Sequence, residues 1–402
     1  MSFRPPGLLL AALLGLPGLY RVSGDEVVAV APWETEPGAP PVLAYASFKS
    51  GRFGVLREEK GSFVLGKTLM GGAPDAVLRA SDAGLSIDGR LAPRMATREE
   101  ELVVDAGGVK LGATLMLPPG RGPFPAVVLV PAGALGRRAT AIFPAFFASE
   151  GFAALAYDRR PTSPEATFET YAADALAAVQ ALRRRPDIDP ARVGLWGHSQ
   201  GGWLSLVAAA QASSRPAGVA FVIDEFGMLV PAWRQELYRV QAEAEADGVE
   251  PEAIAQALAF ERRLMEVART GAGWDALAAS LQAGGKARWV DLVYAPRSLE
   301  QLQRVWRNDF SFDPRPYAAR VKVPILALFG GLDRSTPMES AANLELAARE
   351  AGNTAVTIQV FPTADHGALD AVTGGNAELP SRSRFAPGFF EAIRRWLRAL
   401  KR

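Results

Sequence analysis

The chain has no cysteine among its 402 residues. This absence excludes disulfide bonds, thiolate metal sites, a cysteine nucleophile and a lipoprotein anchor. Histidine is almost as scarce, because His198 and His366 are the only two. A metal site built from several histidines is therefore impossible, and we expect neither a metal nor any other cofactor.

The chain also lacks an excess of charge of either sign. Its 44 basic side chains face 43 acidic ones, for a net charge of +1, and no basic run stands out. Nucleic-acid binding normally needs a basic patch, so we expect no such partner. The hydrophobic share of 49% and the charged share of 22% are ordinary for a globular protein with a full core.

The N-terminus has the layout of a secretory signal peptide. Arg4 precedes an apolar run, Gly7–Tyr20, and the small residues Val22–Gly24 follow it. The run is too short, and too interrupted by Pro17, to form a good membrane span. We therefore predict a signal peptide over residues 1–24 and export to the periplasm or the exterior. The alternative is an apolar segment that docks on the folded protein.

Residues 25–98 are predicted to form a small β-rich domain. Apolar and polar residues alternate around Lys60-Gly61, and Asp88-Gly89 is a strong hairpin signal. No catalytic constellation lies here. A structural extension is the preferred interpretation, and a module that shapes the active-site entrance or an oligomer interface is the alternative.

Residues 99–402 show the pattern of an α/β domain. Apolar, β-prone runs alternate with helix-like segments, which indicates a mostly parallel sheet covered by helices on both faces. An interval from about residue 226 to 312 contains no convincing strand and has helical spacing. It predicts a helical cap insertion whose tryptophans mainly hold the cap together. The β-prone runs are Ala126–Val130, Phe152–Tyr157, Val193–Trp196, Val219–Ile223, Ile325–Phe329 and Val356–Phe361.

The stretch Gly197-His198-Ser199-Gln200-Gly201 lies between a predicted strand and a helix of small residues. A G-x-S-x-G sequence in this context is typical of a nucleophile elbow, in which a sharp turn exposes the serine hydroxyl at the carboxyl edge of the sheet. The helix that follows favours developing negative charge at its N-terminus. We therefore predict that Ser199 is a nucleophile, although a small residue in a tight turn is the simpler alternative.

A serine nucleophile needs a base, and the base needs an acid. The side chain of His198 is expected to leave the turn in another direction and to pack beside the strand. That leaves His366, which follows the last predicted strand. Asp333, just after the strand Ile325–Phe329, is the predicted acid. The rival acids are Asp365, Asp224 and Glu225.

An oxyanion formed by serine attack needs backbone N–H donors. The residue after the nucleophile, Gln200, is expected to supply one. The loop after Ala126–Val130 is expected to supply the other. Pro131 has no N–H, so Gly133 is preferred, followed by Ala132 and Ala134.

Taken together, "DPARVGLWGHSQGGW", "LFGGLDRSTP", "PTADHG" and "YDRRPTS" make residues 99–402 resemble the α/β-hydrolase superfamily. Within it the chain is similar to exported bacterial carboxylesterases related to dienelactone hydrolases and to prolyl-oligopeptidase-type catalytic domains. The resemblance implies Ser199 as nucleophile, Asp333 as acid and His366 as base. It predicts hydrolysis of small-molecule carboxylic esters through an acyl-enzyme. The alternatives are a peptidase, a thioesterase or a lipase on the same residues, or a non-catalytic binding protein.

Overall fold

A computed structural model describes residues 15–36, 38–133, 136–140, 142–163, 166–213, 218–306 and 310–400. Within these ranges, sixteen strands form two eight-stranded sheets. The first sheet belongs to the N-terminal part of the chain, and the second belongs to the α/β part.

The N-terminal sheet is an antiparallel meander that nearly closes on itself. Its first strand bonds back to the residues after its last strand, since Met95 N–H donates to Leu19 O at 2.8 Å. The predicted hairpins are confirmed: Lys60-Gly61 and Asp88-Gly89 have the two positive φ angles that a tight two-residue turn requires. The strands, in order along the sheet, are β1 Gly18–Ser23, β2 Glu26–Trp33, β3 Val42–Ser47, β4 Phe53–Glu59, β5 Ser62–Thr68, β6 Gly71–Ser81, β7 Gly84–Ile87 and β8 Arg90–Ala92.

The first strand of this sheet lies inside the predicted signal peptide. Strand β1 pairs with β2, and Leu16, Leu19 and Tyr20 are buried. The sheet thus extends N-terminal to residue 25. Residues 1–14 lie outside the described part, so the signal peptide stays a prediction. None of the described helices is long and apolar enough to cross a bilayer.

The second sheet is parallel from β11 onward and carries an antiparallel hairpin at one edge. Buried apolar clusters lie against both of its faces, as expected for near-continuous hydrophobic strands. The strands are β9 Arg98–Ala106, β10 Val109–Leu117, β11 Phe124–Val130, β12 Ala153–Tyr157, β13 Ile188–His198, β14 Val222–Glu225, β15 Ile325–Gly330 and β16 Val356–Phe361, in the spatial order β16-β15-β14-β13-β11-β12-β10-β9.

Helices cover this sheet and fill the interval between β14 and β15. The described residues of that interval contain no strand, and Trp274, Trp289 and Trp306 pack against its own apolar cluster. The helices are α1 Phe143–Ser149, α2 Phe168–Arg183, α3 Gln200–Ala212, α4 Ala232–Ala246, α5 Pro251–Thr270, α6 Trp274–Gly284, α7 Leu299–Trp306, α8 Arg315–Ala318, α9 Glu339–Ala351 and α10 Phe389–Leu400. Helices α4 to α7 make up the insertion.

The parallel strands bring distant parts of the chain to one edge. Strands β13, β14, β15 and β16 are consecutive neighbours and run in the same direction. Their carboxyl ends therefore meet at a single edge, which is where ligands bind in open α/β sheets. Ser199, Asp333 and His366 all follow these ends.

Candidate active site

The turn that carries Ser199 is strained and tightly packed. Ser199 has φ 53° and ψ −121°, a conformation that non-glycine residues rarely adopt. Its N–H donates to Glu225 O at 2.7 Å, and its carbonyl accepts from Gly202 N–H at 2.9 Å. A side chain at Gly197 would overlap the backbone of Gly201, so the turn requires glycine there. The strain is held by the sheet on one side and by α3 on the other.

Three side chains from separate loops form a continuous hydrogen-bonded chain. His366 Nε2 lies 2.9 Å from Ser199 Oγ. His366 Nδ1 lies 3.0 and 3.1 Å from the two carboxylate oxygens of Asp333. An ionised carboxylate can only accept, so Nδ1 carries the hydrogen and Nε2 is free to accept the serine proton. The predicted Ser199, His366 and Asp333 are thus brought together in the order that proton transfer requires.

The predicted acid, Asp333, is held by the turn on which it lies. Asp333 is 3% exposed, and its Oδ1 accepts from Ser335 N–H and Thr336 N–H, each at 2.7 Å. These two donors fix the carboxylate plane before the histidine adds its own hydrogen bond. The turn itself is contacted by α4, since Tyr238 Oη donates to Asp333 O at 2.9 Å.

Charges around His366 raise its pKa above the ordinary 6.5. Burial favours the neutral ring, but the charge and hydrogen bond of Asp333 outweigh burial, and Asp365 and Glu243 add to the same effect. Glu225 also interacts with this ring. The environment therefore stabilises the imidazolium that would form when the ring accepts a proton.

The family assignment follows from a comparison of the sequence with known families. Residues 127–372, more than half of the chain, match the alpha/beta hydrolase family. The chain belongs to this family. No curated protein matches it. Among solved structures, it is similar to a putative dienelactone hydrolase from Klebsiella pneumoniae, at 16% identity over 76% of this chain and 98% of the other, with a TM-score of 0.44.

Two further solved structures are similar to this chain. A Pyrococcus furiosus esterase is 13% identical over 76% of this chain and 92% of its own, with a TM-score of 0.46. A Porphyromonas gingivalis dipeptidyl peptidase 4 is 13% identical over 95% of this chain and 49% of its own, with a TM-score of 0.47.

In this α/β-hydrolase, none of the three rival acids, Asp365, Asp224 and Glu225, forms a hydrogen bond with the His366 ring. Asp365 turns away from the His366 ring: its Oδ1 accepts from Gly367 N–H and Leu369 N–H at 2.8 and 2.7 Å, and its other oxygen pairs with Arg382. Asp224 is buried and accepts from a backbone N–H at 3.0 Å. Burial raises the pKa of Asp224 to about 7.

The sequence predicts that His198 packs beside the strand, away from the site. In the structure, its ring lies next to that of His366. Its ring centroid lies 5.1 Å from that of His366, and its Nδ1 lies 3.4 Å from Glu225 Oε1. Glu225 is buried and also accepts from Trp196 Nε1 at 3.0 Å. Strand alternation could have indicated this cluster, because Trp196 and His198 share a face and His198 pairs with Glu225 in register.

The two expected oxyanion donors differ in what surrounds them. Gln200 is the first residue of α3, so its N–H has no intrahelical acceptor. Gly133 follows β11 with φ 54° beside open space. Ala132 is half-buried, while Ala134 lies outside the described residues. The second donor therefore stays a prediction. Among the described residues, no cluster of histidine and carboxylate side chains could hold a metal ion.

Proposed function

We propose that this chain is a serine hydrolase that cleaves carboxylic esters through an acyl-enzyme intermediate. The observation that carries the proposal is the 2.9 Å contact between Ser199 Oγ and His366 Nε2, with Asp333 on the opposite ring nitrogen at 3.0 Å. This is the arrangement in which a neutral imidazole can remove the serine proton as the oxygen attacks a carbonyl.

In the proposed reaction, Ser199 attacks the ester carbonyl and His366 takes its proton. The carbonyl oxygen becomes an oxyanion, which we place against the N–H groups of Gln200 and Gly133. The protonated ring then gives its proton to the leaving alcohol, and an acyl-serine remains. Water, deprotonated by the same ring, releases the acid and restores the serine. Asp333 keeps the ring in the required tautomer throughout.

We also propose that the helical insertion covers the entrance to this site as a cap. The support is the position of α4 along the acid turn, where Gln235 Nε2 donates to Ser335 O at 2.9 Å. At the other end of the helix, Ala377 N–H donates to Asp247 Oδ1 at 2.9 Å. These contacts join α4 to the turn that carries Asp333 and to a segment that follows the His366 loop in the chain.

The test is hydrolysis of p-nitrophenyl acetate and butyrate by the protein and by Ser199→Ala. We expect the substitution to reduce turnover to the background rate, because the nucleophile is lost while the fold keeps its small residue at the turn. A panel with longer esters, a thioester and a peptide amide separates an esterase from a lipase, thioesterase or peptidase. Undiminished turnover by Ser199→Ala would disprove the role of the serine. Failure of the unaltered protein to react with a fluorophosphonate would favour a non-catalytic binding protein.

A further inference from the structure

The loop that carries His366 is closed by its own hydrogen bonds. Asp365 N–H donates to Leu369 O at 2.9 Å, and Ala368 N–H donates to Asp365 O at 3.1 Å. The Asp365 carboxylate adds the two bonds to Gly367 and Leu369 already described. The loop is therefore a compact turn, and displacement of one part of it moves the His366 ring relative to Ser199.

A second segment, residues 382–386, pairs with this loop along one edge. Ala386 N–H donates to Ala368 O at 2.8 Å, and Asp370 N–H donates to Arg384 O at 2.9 Å. At the start of the segment, Arg382 is 7% exposed and pairs with the buried carboxylate of Asp365. The segment is thus bound to the histidine loop through both backbone and charge.

The other edge of residues 382–386 pairs with the N-terminal sheet. Phe53 N–H donates to Ser383 O, and Phe385 N–H donates to Gly51 O, both at 2.8 Å. Arg52 Nη1 also donates to Ser383 O at 2.6 Å. Phe53 and Phe385 pack with ring centroids 5.0 Å apart. The segment is the middle member of a ladder that joins the turn 51–53 to the histidine loop.

From this ladder we infer that the N-terminal sheet positions the His366 ring for proton transfer. The inference rests on the proposed function and assigns the sheet a positioning role in that reaction. The hydrogen bonds run without interruption from the turn 51–53, through residues 382–386, to the loop that contains His366. Among the described residues of the sheet, no side chain forms a hydrogen bond with the side chains of Ser199, His366 or Asp333.

A pair of glycine substitutions tests this role. Gly51 has φ +73°, and an added Cβ would lie 3.1 Å from Phe385 O, so Gly51→Ala forces the turn and the segment apart by a few tenths of an ångström. Gly61 has φ +75°, but a Cβ there would meet nothing within 4 Å. Gly61→Ala therefore imposes the same backbone strain on the same sheet without disturbing the ladder, and it serves as the matched control.

We expect Gly51→Ala to lower kcat for p-nitrophenyl acetate by about 3- to 10-fold with KM within about 2-fold, because small misplacements of a catalytic group reduce rate steeply. Labelling of Ser199 by a fluorophosphonate should slow by a similar factor. Gly61→Ala should keep both rates, measured well below the unfolding temperatures of both variants. Equal effects of the two substitutions on kcat, or no effect of either, would overturn the inference.

Two further measurements cover the remaining outcomes. If Gly51→Ala does not fold, Arg52→Met replaces it, with Arg52→Lys expected to recover part of the lost kcat because it keeps one donor toward Ser383 O. If the unaltered protein hydrolyses no ester, the proposed function fails. The ladder is then tested by hydrogen exchange of residues 364–371, which should quicken in Gly51→Ala and not in Gly61→Ala. Unchanged exchange in both would refute the ladder itself.

Discussion

Replacement of Asp333 by asparagine should abolish most of the activity while leaving the fold intact. The oxygen Oδ1 accepts from Ser335 N–H and Thr336 N–H at 2.7 Å, so the amide oxygen of an asparagine must take that position. The amide nitrogen then occupies the position of Oδ2, which lies 3.0 Å from His366 Nδ1. A donor would thus face a ring nitrogen that also carries a hydrogen. The remaining acceptor, the oxygen 3.1 Å from Nδ1, is already occupied by the two backbone N–H groups.

The least costly response is a change of tautomer in the His366 ring. Turning the amide around would break two hydrogen bonds to buried N–H groups, at about 1–3 kcal/mol each. Moving the ring hydrogen from Nδ1 to Nε2 avoids that cost, but Nε2 then donates to Ser199 Oγ and can no longer accept its proton. The ring also loses the negative charge that stabilises the imidazolium. We expect kcat to fall by about 10³- to 10⁴-fold, or roughly 4–5.5 kcal/mol of transition-state stabilisation.

The assay is p-nitrophenyl acetate turnover together with the thermal unfolding midpoint, and Asp365→Asn is the matched control. Asparagine at 365 would face buried Arg382 with a donor, so that variant should lose stability, with about a 10-fold loss of kcat at most. Asp333→Asn should show the reverse pattern, with a nearly unchanged midpoint. A kcat for Asp333→Asn within 10-fold of the unaltered protein would refute the tautomer argument.

Three other predictions follow from charge and burial. The proposed base must be neutral, so kcat/KM should fall as pH drops through the pKa of His366, which is raised above 6.5. Glu243→Gln removes a charge that raises this pKa, so it should move the acid limb of the pH–rate profile to lower pH. Burial raises the pKa of Asp224 from 3.8 to about 7, so its ionisation lowers stability as pH rises between these values, by about 4 kcal/mol at most. Asp224→Asn keeps the acceptor for Gly227 N–H and should be more stable than the parent in urea at pH 8, with a smaller gain at pH 5; equal gains would contradict this. Deletion of residues 1–24 removes β1 with its buried Leu19 and Tyr20. Relative to deletion of residues 1–14, it should lower the free energy of unfolding in urea by on the order of 5 kcal/mol. Equal stabilities of the two deletion variants would contradict the packing of β1.

The parts of this molecule that short sequence patterns could predict are those that depend on local geometry. Asp88-Gly89 predicts a two-residue hairpin because few residues tolerate the required φ angles, and the structure has that turn. The elbow around Ser199 is likewise a property of a few consecutive residues between a strand and a helix. His366 could be singled out only because the chain has so few histidines. In a chain with ordinary histidine content, the same reasoning would have left several candidates.

The contacts that sequence reasoning missed all join residues far apart in the chain. His198 was assigned to packing, yet its ring lies beside that of His366, because β13 and the loop after β16 converge at one sheet edge. The turn 51–53 pairs with residues 382–386, which lie more than three hundred residues later in the chain, and no sequence motif marks this pairing. Backbone hydrogen bonds are formed by any residue type, so the sequence records little of them.

The three residues of the candidate site differ in how far away in the chain their supporting contacts lie. Ser199 keeps its position mainly through its own turn, where glycines allow close packing, with one further bond to the carbonyl of Glu225 on the adjacent strand β14. His366 has no such local support beyond its loop and depends on Asp333 on one side and on residues 382–386 on the other. Asp333 in turn is bonded through its carbonyl to Tyr238 of the insertion. Perturbations far from the serine should therefore displace His366 more than Ser199. A displaced base lowers kcat and the rate of fluorophosphonate labelling, because both reactions need the serine proton to be removed, while ester binding stays nearly unchanged.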